Sequence, residues 1–155
     1  MKTIKIFVIL TIFAFITLAF TLKTNDGYKI GDKIEDFKLK NIDDKMVSLS
    51  DYKTANGFII IFTCNTCPYS VANEDRIVAL DAKYKTKGYP VIAINPNDPN
   101  VSKGDGYVDM KARATEKGFT FPYLLDAKQE VFPKFGASKT PHVYIVTKST
   151  MKVEY

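Results

Sequence analysis

Apolar and polar positions divide this chain into a few distinct patterns. Two runs, "GFIIIFT" over 57–63 and "YPVIAINP" over 89–96, are apolar without alternation. A strand covered on both faces reads in this way. "DFKLKNID" over 36–43 alternates Phe37, Leu39 and Ile42 with charges, which predicts a short half-buried strand and a turn. "VSLSDYK" over 47–53 predicts a turn of helix from Ser50. The stretch 69–88 places Val71, Val78 and Ala82 on one helical face and closes at Gly88. Residues 107–118 predict a second helix closed by Gly118, and 119–126 a strand whose Pro122 puts it at an edge or a strand end. Residues 127–136 suggest a short helix broken at Pro133. Residues 141–146 and 151–155 read as two strands meeting near Lys148, Ser149 and Thr150. Strands and helices alternating in this order predict an α/β fold with a central sheet flanked by helices.

The first 22 residues follow another pattern. Lys2 and Lys5 precede an uncharged apolar run from 6 to 22. That arrangement predicts a secretory signal or a retained N-terminal membrane anchor. Both readings export the remainder, to the periplasm or the extracytoplasmic face of the membrane. The polar stretch 23–33, with Gly27 and Gly31, then reads as a linker, and 34–155 as one domain. The net charge of +5 comes from scattered lysines without a basic run, so the composition gives no sign of a nucleic-acid partner.

Both cysteines of the chain, Cys64 and Cys67, stand where the first apolar strand gives way to a helix. Ligands and chemistry in such sheets gather outside the carboxyl ends of strands. Pro68 follows at once, a residue favoured in the first turn of a helix. A thiolate there is stabilised by unpaired backbone N–H groups, so the thiol pKa falls below about 8.5. This predicts an exposed Cys64 as nucleophile and a more shielded Cys67 as the thiol that resolves the mixed disulfide. One pair and one histidine, His142, make a poor zinc set, and no metal or organic cofactor is expected. A purely structural bridge over so short a loop would be a weak staple. The partners this chemistry predicts are a thiol- or disulfide-containing protein or small thiol, with electrons from another redox protein. Copper held by two soft thiolates and His142 is an alternative of another class. Asn95, in the loop after the second buried strand, and His142 are candidates for shaping the site, together with Pro68. Glu74 and Asp75, on the helix after the cysteines, read as solvated.

"FTCNTCPYSVANEDR", "VIAINPND" and "KGFTFPYLLDAKQEVFPKFGASKTPHVYIV" together resemble the thioredoxin-like redoxins, and within them a bacterial peroxiredoxin-like group related to AhpC/TSA. The resemblance spans about 30–155. It implies a thioredoxin-like fold and a cis bond between Thr140 and Pro141, with the two residues forming a docking platform for a thiol substrate. It implies thiol–disulfide exchange, with reduction of peroxides through Cys64 as an alternative. Relatives of this kind usually add a final helix after the last hairpin strand, so a C-terminally truncated domain is also expected. Thr63 stands where thioredoxins carry tryptophan, and Ala55 where they bury an acid beneath the pair. Ile61 replaces the residue with which peroxiredoxins bind peroxide, if Cys64 is the reacting thiol.

Overall fold

Alternate residues of the apolar run on β3 (Gly57–Phe62) serve two cores. Phe58, Ile60 and Phe62 face one side of the sheet, while Ile59 and Ile61 face the other. A strand buried on both faces needs no polar alternation, which is why the run is continuously apolar. The structure, a computed structural model, describes residues 26–155. The expected signal or anchor at 1–22 lies outside the described residues. Among the described residues no helix is long and apolar enough to cross a membrane.

β3 lies inside a seven-stranded mixed sheet of order β2-β1-β5-β4-β3-β6-β7. Its strands are β1 (Lys38–Asn41), β2 (Met46–Ser48), β4 (Val91–Asn95), β5 (Tyr123–Leu125), β6 (His142–Thr147) and β7 (Lys152–Val153). β3 pairs parallel with β4 and antiparallel with β6, and β4 pairs parallel with β5. The helices are α1 (Pro68–Val71), α2 (Glu74–Tyr84), α3 (Tyr107–Lys117) and α4 (Phe132–Phe135). Ile77 of α2 and Met110 of α3 cover one face of the sheet; Phe135 of α4, Leu49 and Ile34 cover the other. Beside α2, an open groove of about 720 Å³ runs over Ile59, Val143 and Ile145 of the sheet.

Four readings from the pattern change here. The single helix expected over 69–88 is two helices, interrupted at Ala72 and Asn73. Its buried stripe is Glu74, Ile77 and Asp81, while Ala82 is exposed. Two acids face inward because each has a partner there, and a hydrophobic count does not see such pairs. Asp81 accepts from the Val91 N–H at 3.1 Å and from the Thr120 hydroxyl at 2.8 Å. Next, β2 was not apparent from 47–53, where Ser48 both ends the strand and caps a 3-10 turn at Leu49–Asp51. Pro133 lies in the first turn of α4 rather than breaking a helix, since the first turn needs no N–H from it. Finally, the supposed linker is bound to the domain as far as it is described. Gly31 donates to the Val153 carbonyl at 2.8 Å and Tyr28 to that of Lys134 at 3.1 Å. Gly27, at φ +74°, passes so close to Gly136 that a Cβ on it would meet the Gly136 Cα at 2.3 Å. Only glycine permits that approach.

Candidate active site

β3 ends at Phe62, and Thr63 is still tied to the sheet through its N–H, which donates to Ile94 at 2.9 Å. The chain then leaves the sheet with Cys64 beneath the turn and Cys67 at its lip. Cys64 is 3% exposed, whereas Cys67 is partly exposed. This reverses the expected order of an open Cys64 and a shielded Cys67. The reason is local: α1 begins at Pro68, so Cys67, rather than Cys64, occupies the position just before the helix.

Thr140 meets both sulfurs. Its Oγ1 lies 3.2 Å from Cys64 Sγ, and its carbonyl oxygen accepts from Cys67 Sγ at 3.3 Å. The Thr140–Pro141 bond is cis, as the resemblance implied. Cys64 Sγ also lies 3.8 Å from the hydroxyl of Ser70, a fully buried residue of α1. The backbone N–H of Ser70 leads the groups that hold the Cys67 thiol below its ordinary pKa, with the Thr140 and Tyr69 contacts adding to it. Tyr69 itself is 76% exposed next to the pair.

Of the three site-shaping candidates, Pro68 starts α1, and Asn95 is fully buried at the end of β4. Asn95 fixes the following loop: its Nδ2 donates to the Asp105 carbonyl at 3.1 Å, and its Oδ1 accepts from the Asn97 N–H at 3.0 Å. His142 is different. Its ring stacks on Tyr144 at 4.8 Å, and its buried Nδ1 has no hydrogen-bond partner. Burial, followed by the nearby Lys139 charge, pulls its pKa down, which favours the neutral ring. The hydrogen bonds of the two sulfurs go to Ser70 and Thr140 and not to His142.

Asp105, Ser70 and Tyr123 are site residues that sequence reasoning missed. Asp105 sits in the loop 97–106, whose turn-rich composition hides a buried acid. Its carboxylate accepts from the Asn65 N–H and the Thr66 hydroxyl, both at 2.7 Å. The Tyr123 hydroxyl donates to Asn65 Oδ1 at 3.0 Å, and burial raises its pKa well above the ordinary phenol value. It is therefore a neutral donor beneath the loop.

Beside the site, Glu74 contradicts the solvated reading. It is 3% exposed and receives two hydrogen bonds from Arg113 of α3, at 2.8 and 2.7 Å. This bidentate pair joins the cysteine-bearing connection to α3. Glu74→Ala is expected to lower unfolding stability by about 2–3 kcal/mol, because it leaves a part-buried guanidinium short of its partner. Urea denaturation checks this, and a loss below about 0.5 kcal/mol would show that Glu116 takes over. Arg113 also reaches Glu116 at 3.2 Å, and Arg76 donates to Asn73 at 2.9 Å. Neither guanidinium donates to a sulfur. Among the described residues no three His, Cys, Asp or Glu side chains gather in a way that could hold a metal ion.

The family profile described as AhpC/TSA matches residues 30–155. The thiol-disulfide oxidoreductase ResA of Geobacillus thermodenitrificans is 22% identical over 153 residues, covering 96% of this chain and 81% of that protein. An uncharacterized conserved protein from Geobacillus kaustophilus superposes with a TM-score of 0.78 at 36% identity, over 83% of this chain and 68% of that one. The thioredoxin domain of a thiol-disulfide oxidoreductase from Bacteroides vulgatus superposes with a TM-score of 0.67 at 16% identity, over 82% and 86% of the two chains. The fold is thioredoxin-like, as the sequence resemblance implied.

Proposed function

The chain belongs to the AhpC/TSA family and is an oxidoreductase, and we propose that it carries out thiol–disulfide exchange through a Cys64–Cys67 couple. The observation that carries this reading is the convergence of both sulfurs on Thr140, one on its hydroxyl and one on its carbonyl. The proposed setting is extracytoplasmic, following the apolar run at 6–22.

The order of attack follows exposure. Cys67, as thiolate, attacks one sulfur of a substrate disulfide. The substrate S–S bond breaks, one substrate sulfur leaves and takes a proton, and a mixed disulfide forms on Cys67. Cys64 then loses its proton and attacks the Cys67 sulfur. The Cys64–Cys67 bond forms, the second substrate thiol leaves, and two electrons have passed to the substrate. A dithiol partner, itself oxidised to a disulfide, restores the pair. Thr140 and Pro141 are the proposed docking platform, with the exposed Tyr69 ring as an apolar neighbour for a protein substrate.

A peroxidase reading has less support, because no guanidinium polarises a group bound at either sulfur. A copper reading has less support again, because the His142 ring is stacked on Tyr144.

The test is a redox titration in glutathione buffers. Wild-type protein is expected to interconvert between a dithiol and a Cys64–Cys67 disulfide and to reduce insulin disulfides. A pair that never joins, or insulin turnover that survives replacement of both cysteines by serine, would refute the reading. A second expectation concerns pH. Cys67 alkylation by iodoacetamide rises with its thiolate fraction, so its profile should inflect below the value of an ordinary free thiol. Inflection at or above that value in Cys64→Ser protein would contradict the lowered pKa.

A further inference from the structure

One buried carboxylate is spent almost wholly on the two residues between the cysteines. Asp105 is 0% exposed. Its Oδ1 accepts from the Asn65 N–H at 2.7 Å, and its Oδ2 from the Thr66 hydroxyl at 2.7 Å and the Asn97 side-chain amide at 2.8 Å. The Asn65 side chain is held twice more, donating to the Gly104 carbonyl at 2.9 Å and accepting from Tyr123. Both residues that separate Cys64 from Cys67 are thus fastened to one segment, the loop after β4.

We propose that Asp105 is a positioning residue for the Cys64–Cys67 couple, clamping Asn65 and Thr66 so that closure to the disulfide is favoured over the dithiol. The inference rests on the thiol–disulfide reading above. Geometry sets the direction. A disulfide accepts only a narrow range of sulfur and Cα separations, so a fixed intervening loop raises the effective concentration of one thiol at the other. The donors on the Asp105 oxygens are Asn65, Thr66 and Asn97, and neither sulfur is among them.

A carboxylate that merely held the loop in place would affect stability and leave the redox equilibrium alone, so the equilibrium is the discriminating measurement. Wild-type and Asp105→Asn full-length chains are equilibrated with reduced and oxidised glutathione, then alkylated and weighed. In each, the Cys64–Cys67 disulfide plus two glutathione thiols exchanges with the dithiol plus one glutathione disulfide. Asp105→Asn is expected to shift that constant about tenfold toward the dithiol, a potential roughly 30 mV less negative. Thr66→Val removes one donor and keeps the carboxylate; it is expected to move the constant about threefold the same way. A folded Asp105→Asn within twofold of wild type overturns the proposal. If Asp105→Asn does not fold, an unshifted Thr66→Val overturns it instead. A wild-type chain that shows no couple at all would overturn the reading of the preceding section, and this one with it.

Discussion

Replacing Cys67 by serine is expected to reduce insulin turnover by roughly a thousandfold or more, with no covalent substrate complex left behind. Replacing Cys64 by serine is expected to stop turnover as well, but to leave substrate joined to Cys67. The asymmetry follows from exposure. A substrate disulfide cannot reach a sulfur that is 3% exposed, but it can reach one at the lip of the turn. In the proposed order, Cys64 acts only once the reacting sulfur has been delivered beside it, within the space shared with Thr140 and Ser70. Its burial keeps it from substrate and preserves it for the second step. Thiol exchange proceeds through attack by thiolate, and the Ser70 N–H holds the Cys67 thiol below its ordinary pKa. The measurement is non-reducing electrophoresis with mass spectrometry of each variant after mixing with oxidised insulin. Substrate captured on Cys64 in the Cys67→Ser protein would invert the order of attack while leaving the couple itself intact.

The strand and the cysteine pair were legible in the sequence because each leaves a local mark. The run 57–63 reads as a covered strand, and Cys64, Cys67 and Pro68 mark a strand-to-helix junction. Thr140 and Pro141 were legible through resemblance, and the structure brings Thr140 to both sulfurs. The depth of each cysteine was not legible. It depends on whether the helix starts before or after Cys67, a shift of a few residues that composition does not resolve. Asp105 was hidden for another reason. An acid in a loop of Asn, Asp, Gly and Ser reads as turn chemistry, and only the folded chain shows that 65 and 66 turn toward it. The missing acid at Ala55 suggested a pair without a buried carboxylate nearby. The structure supplies one, Asp105, in the loop that follows β4. Glu74 and Asp81 escaped for the same reason: their partners, Arg113 and Thr120, lie far along the chain.

Phe62→Ala is expected to lower stability by about 3–5 kcal/mol, the range for truncating a buried aromatic side chain. Phe62 is fully buried at the end of β3. Its ring makes edge contacts with Phe132 at 5.3 Å, Phe135 at 5.2 Å and Tyr144 at 6.0 Å. Cavity cost depends on whether the surroundings can close in. Here they are poorly placed to do so. Phe135 and Tyr144 are in contact with each other at 5.0 Å, and the Tyr144 hydroxyl is tied to the Phe135 carbonyl at 2.9 Å. The ladder from Phe62 to His142 fixes the backbone on the remaining side. Against a total stability of about 5–15 kcal/mol for a domain of this kind, the loss would bring the midpoint of thermal unfolding down by roughly 10–20 °C. Phe62→Leu retains much of the volume and should cost only about 1–2 kcal/mol. Because Cys64 leaves the sheet two residues later, the alanine variant should also expose that thiol. Its alkylation in folded protein should speed up, while Phe62→Leu stays near wild type. A loss below about 1.5 kcal/mol for Phe62→Ala, with Cys64 still protected, would mean that the aromatic cluster collapses onto the gap and that the strand end is positioned by its backbone alone.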